Sequence, residues 1–339
     1  MDGSSIEKDA AFEATFKGFL RRQRTTPVPL SDDLNLTGQT AIVTGSNVGL
    51  GLSAARQLLG LKLSHLVMAV RSQAKGDAVA EQLRKDFPGA EVSVWILDME
   101  SYDSIRAFVE KCDTLPCINA VILNAGVMLS NYTVTKSTGH ETTLQVNYLS
   151  TVYLTMLLIP VLRAKKAASI SSASRPPTIS IVGSDTAYSG ANLKPEAPVL
   201  AQFDNAKTYG VISAYANSKL ILMFFFARLA ALVDPADVLL NMPNPGMTKG
   251  TGLGHDGPVI ARKIFSVAQY FLARSPETGA TNYLDAALTR GPETHGRFFS
   301  EWTVKPFPPL FYTEQGKKLG DILVDETMKE LGPAGAELP

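Results

Sequence analysis

The feature that most constrains this chain is a short apolar run that ends in a glycine-rich turn and opens a helical pattern. Thr40-Ala41-Ile42-Val43-Thr44 reads as a buried strand and passes directly into Gly45-Ser46-Asn47-Val48-Gly49-Leu50-Gly51. Apolar residues then recur at helical spacing over Gly49–Leu59. Glycines in such a loop let the backbone turn sharply, approach a pyrophosphate closely and pack the helix against the strand. The helix N-terminus adds free N–H groups and a partial positive charge. A glycine cluster alone also makes ordinary turns. Its place between a first strand and a first helix makes it a dinucleotide-binding signal.

The rest of the chain repeats the alternation. Strands are expected over Leu66–Val70, Val92–Leu97, Ala120–Leu123, Thr178–Val182, Val238–Met242 and Arg297–Phe299. Helices are expected over Gln73–Phe87, Tyr102–Lys111, Glu141–Leu162, Ser213–Leu232, Val259–Ala273, Glu277–Leu288 and, near the end, Thr313–Leu331. Alternating strands and helices predict an α/β fold, a parallel sheet covered on both faces in one doubly wound Rossmann-type domain. Three regions follow: an N-terminal arm over 1–37, closed by Pro27 and Pro29; the dinucleotide-binding and catalytic body over 38–290; and a C-terminal strand and extension over 291–339. Ser184–Gly210 reads as a long inserted loop, a feature often tied to function.

Composition narrows the class of partner. Hydrophobic residues make up 45% of the chain, and 32 basic side chains balance 32 acidic ones. Such a chain builds no basic face for nucleic acid, so a small molecule is the expected partner. Two cysteines, Cys112 and Cys117, have no second pair to complete a metal site. They read as free thiols in a reducing, cytoplasmic setting. No segment reads as a membrane span. Phe12, Phe16, Phe19 and Leu20 share a helical face that ends in Arg21, Arg22 and Arg24. That face either lies on a membrane surface or, the preferred reading, packs on the chain's own body.

The carboxyl edge of the expected sheet collects the remaining signals. Arg71 follows the second strand about 20 residues after Gly51, where an acid would receive a ribose 2′-hydroxyl and a guanidinium suits a 2′-phosphate. Asp98 and Met99 end the third strand; Asp98 either accepts from an adenine amino group or caps the next helix. Asn124-Ala125-Gly126 ends the fourth strand and leaves room for a ribose. Asn147 sits inside an apolar helix and needs partners to be buried there. Pro245-Gly246-Met247-Thr248 turns the chain after strand six, where Thr248 could reach a nicotinamide amide.

Tyr215 and Lys219 lie one helical turn apart on one face. A free phenol has a pKa near ~10, too high for acid/base work at neutral pH. A neighbouring ammonium and a positive nicotinamide are expected to lower it. Ser184, after the fifth strand, either hydrogen-bonds a substrate oxygen or is a plain turn serine.

In this order the motifs resemble the short-chain dehydrogenase/reductase family over roughly 36–288. They are Thr44-Gly45-x-x-x-Gly49-x-Gly51, Asp98, Asn124-Ala125-Gly126, Asn147, Ser184, Tyr215-x-x-x-Lys219 and Pro245-Gly246. The Asn47-Val-Gly-Leu-Gly loop, Arg71 and the long Ser184-to-Tyr215 insertion resemble its retinol-dehydrogenase-like branch. The arm and Phe307-Pro-Pro-Leu-Phe-Tyr312 resemble fungal members, many of which act in specialised metabolism. The resemblance implies a seven-stranded parallel sheet and NADP(H) as cofactor. Tyr215 would be the general acid/base, Lys219 would bind the nicotinamide ribose, Ser184 would orient the substrate oxygen and Asn147 would hold a relay water. Gly45, Ser46, Asn47, Gly49, Leu50, Gly51, Arg71, Asp98, Met99, Asn124, Ala125, Gly126, Pro245, Gly246 and Thr248 would line the cofactor. Two departures stand out: Pro243 is expected to end the sixth strand early, and either Thr248 or Thr251 is the threonine that meets the nicotinamide.

The expected activity is reduction of a carbonyl, or oxidation of a secondary alcohol, on a bulky apolar molecule. Aromatic and apolar side chains over 186–212 and 247–265 suggest that pocket. The alternatives are a non-redox isomerase, cyclase or epimerase on the same fold, and a non-catalytic NADP(H)-binding regulator. Relatives often pair the helices carrying Asn147 and Tyr215 across a dimer interface. A homodimer is therefore one expectation, and burial of those helices under the arm or extension is the other.

Overall fold

A computed structural model describes residues 6–168, 175–190, 193–250 and 272–339. The arm forms two short helices, α1 (Ala10–Glu13) and α2 (Phe16–Arg24). The body follows as β1 (Thr40–Thr44), α3 (Gly49–Gly60), β2 (His65–Val70), α4 (Gln73–Asp86), β3 (Glu91–Ile96), α5 (Tyr102–Asp113) and β4 (Ala120–Leu123). Next comes α6, which starts at Thr142–Leu144, passes through a π-helical turn at Gln145–Leu149 and continues as Ser150–Ala168. Then come β5 (Thr178–Ile181), α7 (Val211–Ala230), β6 (Leu239–Asn244), α8 (Pro276–Leu284), β7 (Phe298–Ser300), β8 (Thr303–Lys305) and α9 (Glu314–Leu331). The helix expected at Val259–Ala273 falls almost wholly outside the described residues, as do Thr251 and Leu253.

The sheet order is β3-β2-β1-β4-β5-β6-β7-β8. The first seven strands are parallel, as expected, and β8 from the C-terminal extension adds an antiparallel edge. Every β1 residue is buried, because a parallel sheet is covered on both faces. Successive side chains face opposite layers: Ile42 joins the core under α5, α6 and α7, while Ala41 and Val43 join the core under α3 and α8. The order in which strands are added reverses between β1 and β4, so the carboxyl ends of these two parallel strands open the crevice where such folds bind ligands.

Helix starts follow local chemistry. Thr15, Ser101, Ser275 and Thr313 each accept a backbone N–H of the first turn, which satisfies one orphan donor. Pro243 does not end β6. The strand runs to Asn244, with Pro243 paired to Phe299. Met242 donates to Arg297 on the β7 side, so Pro243's missing N–H faces the other way, beyond the last β5 pair at Ser180–Asn241. There a proline costs no ladder bond. Its carbonyl still accepts Gly183 N–H at 2.9 Å.

The α6 and α7 surface that was expected either to pair in a homodimer or to be buried is covered by the chain's own C-terminal segment. Phe311 stacks on Phe224 at 5.2 Å, Tyr148 meets the Thr327 hydroxyl at 2.6 Å, and Arg228 pairs with Asp321 at 3.0 Å. Among the described residues, two helical stretches are long and apolar enough to cross a bilayer, 142–167 and Val211–Ala230, and both are mostly buried in this core. Cys112 and Cys117 are both free thiols.

The inserted loop is pinned to α9. The Glu326 carboxylate accepts the N–H groups of Val199 and Leu200 at 2.9 Å. Asp204 accepts Glu141 N–H at 2.7 Å and contacts His140 Nδ1 at 2.8 Å, while His140 Nε2 lies 3.4 Å from Glu330. The hydrogen bond to Asp204 raises the His140 pKa, against burial and with help from Glu330. A raised histidine pKa gives stability that is complete below the unfolded value of about 6.5 and fades as pH rises through the folded value. His140→Gln should therefore lower the melting temperature more at pH 6 than at pH 9. An equal loss at both would show that His140 acts only by packing.

Candidate active site

The glycine loop has the geometry a phosphate cradle needs. Gly45 and Gly49 hold φ of 65° and 56°, a region where other residues are strained. At Gly51 a Cβ would fall 2.5 Å from the Gly45 carbonyl oxygen and 2.6 Å from Asn124 Nδ2. Val48 gives the α3 N-terminus no side-chain cap, so the first-turn N–H groups face the loop with the helix dipole behind them. Ser46 is fully buried, and its Oγ has no partner among the described residues. A buried hydroxyl without a partner is costly, and a phosphate oxygen would satisfy it. These residues fit a dinucleotide. Asn47 lies half-buried in the loop. Leu50 leans onto α8, where a Cβ at Gly279 would come 2.8 Å from its Cδ2.

Asn124 staples the loop from the neighbouring strand, donating to Thr44 O at 3.0 Å, while Ala125 N–H donates to Thr44 Oγ1 at 2.9 Å. Asp98 does not cap α5: Ser101 does, and Asp98 accepts Glu100 N–H at 3.0 Å. Met99 beside it is buried. Arg71 sits at the end of β2 with 70% of its side chain exposed, 3.0 Å from Glu100. Glu100 was no part of the sequence reading, because only the fold brings it to the neighbouring strand's end.

The second group of residues gathers at the carboxyl ends of β4 and β5. Lys219 is buried and donates to Val182 O at 2.9 Å. Burial lowers its pKa to about 8. Its Nζ stands 5.9 Å from the centre of the Tyr215 ring and 3.9 Å from where a Cβ at Gly126 would lie. The tighter contact at Gly126 is with Asn147, whose Oδ1 would lie 3.2 Å from such a Cβ. Ser184 is buried at the start of a 3-10 turn, Asp185–Ser189. Its Oγ accepts both the N–H (3.3 Å) and the hydroxyl (2.8 Å) of Thr186, which leaves its own proton to point elsewhere. Thr186 went unnoticed in the sequence, although a threonine two residues after a strand-end serine is an ST-turn signal.

Burial pushes the Tyr215 phenol up to about 12; the adjacent Ser184 hydroxyl pulls it down and Asp185 pushes it up. Among the protein's own groups, desolvation therefore outweighs the Ser184 hydrogen bond that lowers the phenol. Asn147 lies in the π-helical turn of α6, fully buried. Its Oδ1 accepts Val127 N–H at 2.8 Å, and its Nδ2 donates to Val127 O at 2.9 Å and Ser218 Oγ at 3.1 Å. These bonds fix the segment after Asn124-Ala125-Gly126. They also engage the side chain that was expected to hold a water.

Gly246 turns at φ 71°. Thr248 is buried, and its hydroxyl donates to Gly246 O at 3.1 Å. Arg274 Nη1 lies 3.5 Å from Pro245 O. A dinucleotide cradle, a tyrosine-lysine pair and a serine thus share one sheet edge, an arrangement suited to hydride transfer with proton transfer beside it.

Comparison with known proteins agrees. Residues 39–191 match the family model described as short chain dehydrogenase. The chain belongs to the short-chain dehydrogenase/reductase family of oxidoreductases. It is 53% identical to the short chain dehydrogenase virL of Hypocrea virens, over 98% of this chain and 96% of that one. It is 40% identical to the short chain dehydrogenase/reductase mfmJ of Annulohypoxylon moriforme, over 92% and 90%. The fold matches a 3-oxoacyl (acyl-carrier-protein) reductase from Agrobacterium tumefaciens, solved with NADP bound. That match has TM-score 0.58 and 20% identity, over 80% of this chain and 96% of that one. The expected likeness to fungal members holds.

Proposed function

We propose that this protein is an NADP(H)-dependent carbonyl reductase, or secondary alcohol dehydrogenase, acting on a bulky, largely apolar small molecule in fungal specialised metabolism, in the cytoplasm. The observation that carries the reading is the convergence of Ser184, Tyr215 and Lys219 at the sheet edge beside the Gly45–Gly51 loop. Bound there, the cofactor supplies the hydride and, when oxidised, a positive charge.

Each residue has a role within that frame. The α3 N-terminus, Gly45, Gly49, Gly51 and the Ser46 hydroxyl hold the pyrophosphate, and Leu50 and Asn47 shape the loop around it. Arg71 faces the 2′-phosphate, while Asp98 and Met99 border the adenine. Asn124, Ala125 and Gly126 leave room for the ribose, and Lys219 donates to its hydroxyls. Pro245, Gly246 and Thr248 border the nicotinamide. Ser184 donates a hydrogen bond to the substrate oxygen and keeps its proton, since Thr186 fills its acceptor positions. Tyr215, protonated at neutral pH with a pKa of about 12, gives its phenolic proton to that oxygen as hydride arrives. Asn147 sets the β4 segment in place through Val127.

The test is a titration of purified protein with NADPH and NADH, followed by nicotinamide fluorescence, and then a panel of bulky ketones and aldehydes followed by absorbance. Tighter NADPH binding with subsequent oxidation is the expected result. Product formation without net cofactor consumption would replace the redox reading with an isomerase or epimerase, and absence of nucleotide binding would remove the cofactor assignment.

A further inference from the structure

The N-terminal arm buries charge more completely than its aromatic face. Phe12 and Phe16 are 38% and 68% exposed and Phe19 and Leu20 are half-buried, while the charged Glu13 and Arg22 are 1% and 2% exposed. An arm that served only as a tether would bury its apolar face, because burying charge costs free energy that pairing merely offsets. What the buried groups touch explains this pattern. Arg22 Nε and Nη2 each lie 3.3 Å from Asp185 Oδ2, and Nη1 lies 2.7 Å from Glu13 Oε2. Asp185 is the residue after Ser184. Lys305 on β8 holds the other Glu13 oxygen at 3.0 Å.

The next residue, Gln23, reaches the opposite wall. Its Oε1 accepts Met247 N–H at 2.8 Å, and its Nε2 donates to Met247 O at 3.1 Å and Leu272 O at 2.8 Å. Gly246 makes this approach possible, since a Cβ there would fall 2.5 Å from Gln23 Oε1 and 3.0 Å from Arg274 Nη1. Arg274 in turn donates to Arg22 O. Two consecutive arm residues therefore bridge the Ser184 turn and the Pro245–Met247 turn.

We infer that the arm is a working part of the active site, with Arg22 and Gln23 as positioning residues that fix the Ser184 hydroxyl and the Pro245–Met247 backbone relative to Tyr215. This rests on the reductase reading above. A displacement of about 1 Å at a reacting group can cost on the order of 100-fold in rate, so a loosened brace should lower kcat far more than cofactor affinity.

The experiment uses the full chain, its Gln23→Met variant and its Arg22→Lys and Arg22→Ala variants. Gln23→Met keeps shape and all the buried charges, so it folds even if Arg22→Ala does not. Hydrogen–deuterium exchange is measured over 184–189 and 245–248, NADPH affinity by fluorescence, and turnover with 9,10-phenanthrenequinone as the carbonyl probe. Gln23→Met should raise exchange in 245–248 and lower kcat roughly 10- to 100-fold, with NADPH affinity within about threefold of wild type. Arg22→Lys should recover part of the rate lost in Arg22→Ala and restore protection in 184–189. Wild-type exchange and wild-type kcat in Gln23→Met would overturn the inference. Raised exchange in a protein whose wild type oxidises no NADPH would sustain the brace and overturn the redox reading instead.

Discussion

Replacing Tyr215 by phenylalanine should reduce NADPH oxidation by about 10²–10⁴-fold, the range for a removed general acid, while leaving NADPH binding within a fewfold of wild type. The substitution removes only the phenolic oxygen. The ring keeps its place on α7, whose fully buried neighbours Leu220, Ile221 and Phe224 hold the helix in the core. Lys219 keeps its bond to Val182 O, so the cofactor side is untouched. Sign follows from the phenol's pKa of about 12. In the reductive direction Tyr215 must donate a proton, and it carries one throughout pH 6–9, so reduction should show little pH dependence from this group. In the oxidative direction it must accept a proton, so alcohol oxidation should rise with pH across that range. A Tyr215→Phe protein that retains more than about a tenth of the wild-type rate would take the tyrosine out of the acid/base role.

The same site shows what local sequence can and cannot disclose. The β1-to-α3 cradle was legible because its requirements are local: left-handed backbone at Gly45 and Gly49, and no room for a Cβ at Gly51. Tyr215 and Lys219 were legible because helical spacing alone places them together. The arm was legible only in part. Phe12, Phe16, Phe19 and Leu20 marked a face expected to pack on the chain's own body, and the arm does dock there, but its polar contacts run through Glu13, Arg22 and Gln23, whose partners in the body stand 163 to 292 residues away. No periodicity encodes a pairing of that range. Pro243 misled for a related reason, since its cost depends on which neighbour faces its nitrogen, and that is a property of the assembled sheet. The burial of the phenol was not legible either, because helix spacing reveals a neighbouring charge but not desolvation. Asn147 was rightly expected to need backbone partners. That its side chain turns to Val127 follows from the π-helical turn, which sequence does not mark.

Cofactor preference should reverse, or nearly so, in Arg71→Glu. In the wild type the guanidinium is 70% exposed and 3.0 Å from Glu100, which is itself 33% exposed. A pair this exposed is worth only ~0–1 kcal/mol, so a 2′-phosphate can take over the guanidinium at little cost. Hydrogen bonds to a charged group are worth ~1.5–3 kcal/mol, or roughly 10- to 150-fold in affinity. Glutamate removes that gain, adds repulsion between its carboxylate and the phosphate, and offers an acceptor to the 2′-hydroxyl of NADH. The ratio of kcat/KM for NADPH over NADH should fall by about 10²–10³-fold, most of it through loss of NADPH. Because the contact is exposed, the wild-type preference should also weaken as salt rises. An unchanged ratio would mean that Arg71 does not read a 2′-phosphate. Lys136 would then be the residue to replace next, because it lines a recess of about 390 Å³ together with Glu100 and Ser137, and Ser137 already anchors that wall by donating to Glu100 O at 2.6 Å.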